Sequence, residues 1–274
     1  YVPGQNQIEA FWNYGYKNFK NSNVQTLFAY SQAVLKSLKI VWIPLDEKKD
    51  DPQAIFEGLN DKGMPLSAVE LLCSYLFKPL INEVTKQHES IHNDKWLKSI
   101  KKVGGEKQFE FYLRNLFSIN KPKMIGKGRK LYSNFKNTNK NIGEKEAFAA
   151  ITEIADDVDI FNQINNPQTS PYSQSKDIHT FLINIKQTGM ESSIPFTLSL
   201  LKELKVGKIT EIDSIKLLKS LLNLLVRRKI CGLNTTKYDA VFPNLLNKII
   251  NEPDKTKAFK DLIIKEDLYV SDQE

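Results

Sequence analysis

Side chains able to do metal or nucleophilic chemistry are scarce in this sequence: two cysteines, and three histidines in 274 residues, at His88, His92 and His179. His88 and His92 stand four apart, a spacing that puts two imidazoles on one helix face within reach of a shared metal ion. They lie in QHESIHND, without the flanking pattern of a zinc protease and without a third ligand nearby, so they read as exposed, structural histidines. Cys73 and Cys231 sit apart in apolar helical text, which provides neither a disulfide framework nor a zinc cluster and suits a reducing cytoplasm. Gly126-Lys127-Gly128 is too short to cradle phosphate, and no Walker-type loop, nucleophile elbow or Cys/His pair accompanies it. The acids of Ala155-Asp156-Asp157-Val158-Asp159 could bind a cation, but acids spaced like these on a helix more often face water. No catalytic residue and no metal ligand is assigned from the sequence.

Recognition chemistry is better represented. Between Lys95 and Lys145 stand 14 Lys/Arg against three acids (Glu106, Glu110, Glu144), an excess of 11 in a chain whose net charge is only +7, so the remainder is net acidic. Such a concentration is the electrostatic footprint expected for a polyanion such as nucleic acid, and equally that of a solvated lysine-rich face. Lys123, Lys127, Arg129 and Lys130 cluster around glycines and are the residues expected to meet a DNA backbone, from a loop in which long basic side chains adapt to phosphates. Arg227 and Arg228 are half of the four arginines and lie together near the end of an apolar segment. A guanidinium is a planar, always charged fork suited to phosphate or carboxylate. The competing reading is interaction with the C-terminal carbonyls of a helix and pairing with a core acid.

The elements that must carry these residues are overwhelmingly helical. Val24, Leu27, Phe28, Val34 and Leu35 recur at helical spacing over 24–37. One strand is expected, Leu38 to Leu45, ended by the acidic run Asp46 to Asp51. Pro52 suits a helix first turn, Asn60 to Gly63 stops that helix, and Ser67-Ala68-Val69-Glu70 is a capping box opening another. Further helices are expected at Phe109 to Phe117, Ala147 to Ile164, Ile178 to Ile185, Ile194 to Leu204, Ile212 to Ile230 and Tyr238 to Ile250, the last interrupted at Pro243. Residues 211–230 are apolar on most sides and should form the central, buried helix; 119–143 and 165–176 read as loops. No stretch of roughly 18 uncharged apolar residues, the length of a membrane span, occurs. The chain starts without methionine and stops at Ser271-Asp272-Gln273-Glu274, a capping box with no helix after it, so both ends read as cut from a longer protein.

Ile55-Phe56-Glu57-Gly58-Leu59-Asn60-Asp61-Lys62-Gly63-Met64-Pro65-Leu66-Ser67, followed by Glu70-Leu71-Leu72 and Tyr75-Leu76, resembles the signature of the GmrSD-type restriction family. Weaker matches follow at Leu131-Tyr132 with Phe135-Lys136, and at Val226-Arg227-Arg228 with Cys231-Gly232 and Thr235 ahead of Phe242. The resemblance implies a ParB-like nucleotide-handling domain, usually paired with an HNH nuclease module. The family's Asp-Gly-Gln-Gln-Arg motif and the nuclease histidines are absent here, and Cys73 stands where the family has lysine. It further implies that Asn60, Lys62 and Gly63 face a nucleotide or DNA site. Read without the family, Asn60 and Gly63 tolerate a left-handed turn and Pro65 stiffens the exit, which makes the segment an architectural bend.

The resulting expectation is a mainly α multi-helix bundle, with at most one or two strands left from a truncated ParB-like α/β domain. Residues 1–80 would be the C-terminal part of that domain and 81–274 a helical domain. The segment would be the DNA-contacting scaffold of a cytoplasmic, modification-dependent, anti-phage restriction protein. No cofactor is expected in it. Nucleotide and magnesium belong to the full-length protein, and the expected partners are DNA, the ParB-like part and the HNH part, with no membrane. The rival expectation is a helical protein-interaction adaptor whose basic loop binds an acidic partner.

Overall fold

The computed structural model describes residues 13–17, 19–37, 66–81, 85–170 and 175–270. The chain divides into two compact units, 1–59 and 60–274. Among the described residues there are helices and no strand. The expected strand at 38–45, the helix after Pro52 and the Asn60-Lys62-Gly63 turn lie outside the described residues.

The first unit contains α1 (Val24–Ser37), the helix that the apolar spacing announces. Asn23 starts it, its side-chain oxygen accepting the amide of Thr26 at 2.8 Å. Val24, Phe28 and Leu35 are exposed there, and Phe19, Leu27, Tyr30, Ser31 and Leu35 line an open groove of about 500 Å³.

The second unit opens on α2 (Ala68–Phe77), and its capping box is formed: the Ser67 hydroxyl accepts the Glu70 amide, and the Glu70 carboxylate accepts the Ser67 amide at 2.9 Å. Although the sequence reading groups residues up to 80 with the N-terminal part, α2 buries Leu71, Leu72, Leu76 and Phe77 in the core of the second unit. A continuous helical stretch follows: α3 (Gln87–Ile91), a π-helical turn over His92–Leu97, and α4 (Lys98–Lys102). Gly104 and Gly105, at φ 90° and 115°, then turn the chain into α5 (Glu106–Ser118). Edge-on rings bind these elements: Phe77 meets Trp96 at 6.1 Å, and Trp96 meets Phe109 at 5.1 Å.

Residues 119–143 are not one loop. Arg129–Thr138 is a helix, α6, because Leu131, Tyr132 and Phe135 fall on one face and dock on α2, where Tyr75 meets Tyr132 and Phe135 edge-on. The long α7 (Glu144–Asn165) and α8 (Lys176–Thr188) follow, the latter capped by Ser175 and ended by Gly189 in the left-handed conformation.

The central helix is α9 (Ile194–Lys205), which contacts α5, α7, α10 (Glu211–Ile230) and α11 (Tyr238–Ile249). Its residues Ile194 to Leu201 are all buried, and the polar members Thr197 and Ser199 are small. The Thr197 hydroxyl is satisfied locally, donating to the Ser193 carbonyl. The expectation that 211–230 is the buried centre is therefore corrected. On α10 the buried positions Leu217, Leu218, Leu221, Leu224, Leu225 and Arg228 recur on one face, while Ile212 and Ile230 are 66% and 79% exposed. Helix α12 (Lys255–Lys265), capped by Asp254, packs against α10 and α11. Pro243 does not interrupt α11, which runs through it.

Candidate nucleic-acid interface

The basic residues chosen from the sequence sit on a segment whose backbone is fixed by non-local hydrogen bonds. Helix α5 ends at Ser118, and Asn120 turns the chain at φ 62°, a left-handed conformation asparagine tolerates. The Asn120 amide donates to the carbonyl of Pro243 at 2.8 Å, and the Met124 amide to the carbonyl of Asp239 at 2.7 Å. The second bond follows from the proline: position 243 has no N–H, so the helix itself cannot occupy the Asp239 carbonyl four residues back. Further along, the Ile125 amide donates to the Ser118 hydroxyl at 3.0 Å, and the Ile125 carbonyl accepts the Arg114 guanidinium at 2.6 Å. Gly128, at φ 60°, donates its amide to the Glu110 carboxylate at 2.7 Å and starts α6. Met124 and Ile125 are buried, while the side chains flanking them on the loop include outward ones.

Those outward side chains include Lys123, Lys127, Arg129 and Lys130, all exposed and close together in sequence over one loop and the first turn of α6. Gly126 has a steric role among them, because a Cβ there would stand 2.7 Å from the Lys130 side chain. Thus Lys130 lies across the glycine. These long side chains stand on a backbone that makes non-local hydrogen bonds. Other bases of the 95–145 window are engaged differently. Lys102 pairs with Asp159 on α7 at 2.8 Å, Lys95 lies over Phe148, Lys136 over Tyr132, and Arg114 is used to hold the loop.

The two neighbouring arginines separate. Arg228 is 6% exposed; its guanidinium donates to the carbonyls of Leu268 at 3.1 Å and Asn234 at 2.9 Å and lies over the Tyr238 ring. It ties the end of α10 to the segment after α12, so this fork is engaged within the fold. Arg227 is half-buried, with Nε donating to Asn223 Oδ1 at 2.6 Å. Asn60, Lys62 and Gly63 lie outside the described residues.

Three acids of α7, Glu153, Asp157 and Asp159, enter ion pairs within the fold. Lys202 of α9 meets both Glu153 and Asp157 at 2.6 Å, and Asp157 is buried. Burial pushes the Asp157 carboxyl up, with Lys202 opposing; burial likewise opposes charge on Lys202, but the two carboxylates hold its ammonium above the ordinary lysine range. Cys73 is an inert thiol, pushed up to about 12 by burial. His92 packs edge-on against Phe77 at 5.2 Å. Among the described residues no group of three His, Cys, Asp or Glu is placed to hold a metal ion, and no helix is long and apolar enough to cross a membrane.

Sequence reasoning missed Pro243, Asp239, Ser118 and Glu110 as the groups that set the loop. A proline inside a predicted helix was the available signal, because it announces a carbonyl in need of a donor. Comparison of the chain with protein-family models, curated proteins and solved structures returned no match.

Proposed function

We propose that this chain is a helical scaffold presenting a fixed basic edge to a nucleic-acid backbone, within a cytoplasmic restriction protein of the GmrSD type that acts on modified phage DNA. In this reading nucleotide, magnesium and strand cleavage belong to the ParB-like and HNH parts, and the present segment supplies position and contact. The observation that supports it most is the exposure of Lys123, Lys127, Arg129 and Lys130 on a backbone held by α5 and α11. Cations on a held frame lose less conformational freedom on meeting a phosphate ladder than cations on a mobile one.

The test is charge reversal of Lys123, Lys127, Arg129 and Lys130 to Glu. Wild-type affinity for duplex should fall with salt at a slope of roughly −0.9 per phosphate contacted, largely independent of sequence. The fourfold variant should lose most of that affinity and slope with its helical circular dichroism unchanged, because none of the four side chains is buried. Salt-insensitive or absent wild-type binding would defeat this reading. The adaptor reading would then lead, and the exposed apolar side chains of α1 favour it as the place a protein partner would meet.

A further inference from the structure

We infer that Pro243 is the positioning residue of the basic loop: it holds a carbonyl of α11 open as the acceptor on which residues 120–124 are seated. This rests on the nucleic-acid reading of Lys123, Lys127, Arg129 and Lys130 and adds what sets their location. In an unbroken helix the carbonyl of Asp239 would be taken by the amide of residue 243. Proline has no such amide, and its ring crowds the carbonyl four residues back, turning that oxygen outward. A helix carbonyl that has lost its intrahelical donor is left free to accept a hydrogen bond from a neighbouring segment. The Met124 amide supplies it at 2.7 Å, and the Pro243 carbonyl takes the Asn120 amide at 2.8 Å. The two bonds bracket Lys121 to Lys123 and lead directly into the buried pair Met124 and Ile125. Pro243 is itself buried in α11 and never reaches the surface, so its effect on a ligand can act only through the loop.

Replacing it by alanine separates position from folding, since Ala is the better helix former and restores the missing amide. In the full chain, P243A should keep its helical circular dichroism, while the Asn120 and Met124 amides exchange roughly tenfold faster, as expected for losing one bond. A short labelled duplex in low salt should bind roughly fivefold more weakly, because the same charges stand on a looser frame. Unchanged exchange at Asn120 and Met124 would overturn the inference whatever the affinity. Faster exchange with unchanged duplex affinity would overturn the positioning role. If the wild-type chain binds no duplex yet P243A releases the loop, the nucleic-acid reading fails while the proline seat stands, so the two failures are distinguishable.

Discussion

His92 couples one ring contact to solution pH. Burial against Phe77 holds its pKa below the ordinary 6.5, with a side-chain bond to Asn93 opposing. The unfolded chain therefore takes up the proton first as pH falls, and by linkage stability declines once pH drops below about 6.5 and is unaffected by this group above it. Urea midpoints measured from pH 8 to pH 5 should fall more steeply for the wild-type protein than for H92F; parallel curves would refute the assignment. Arg228 gives a second prediction at this scale. R228A leaves the carbonyls of Leu268 and Asn234 without their donor and should cost about 2–3 kcal/mol in chemical denaturation. R228K should not restore it, because one ammonium cannot reproduce the fork that spans both oxygens.

At the scale of elements, α9 and α10 make opposite predictions from similar apolar content. F196A removes a fully buried ring and should cost about 3–5 kcal/mol, whereas I212A, at an exposed position, should stay within about 0.5 kcal/mol. If the two costs prove equal, the placement of α9 at the centre is wrong. The same helices show what was legible in advance. Boundaries set by local chemistry could be read directly: Ser67 and Glu70 are three residues apart, and their reciprocal bonds need nothing from the rest of the chain. Which helix lies at the centre depends on neighbours, and α10 misled because its leucines are dense without encircling it. Helix α6 was hidden by Ser133, Asn134, Asn137 and Thr138, weak helix formers that are overridden once Leu131, Tyr132 and Phe135 have α2 to pack against. The candidate interface divides in the same way. Its four cations were visible as types and spacing, whereas the donors and acceptors that fix them come from α5 and α11.

For the whole molecule, the contact between Met124 and Asp239 spans 115 positions of the chain. At ribosomal speed, the interval between making one partner and the other is on the order of ten seconds. Throughout that interval the lysines exist without their seat, and closing so wide a loop carries an entropic cost that local helices do not meet. The basic edge should thus be a late product of folding. Pulse-labelled exchange during refolding should protect the amides of α7 and α9 before those of Asn120 and Met124; simultaneous or earlier protection of the loop would contradict this order. A chain whose synthesis stops before α11 would carry Lys123, Lys127, Arg129 and Lys130 with the bonds from α5 but without the seat on Asp239 and Pro243. Until α11 has been made, the ribosome's own RNA would meet lysines held by α5 alone, and the fully seated edge would appear only after it.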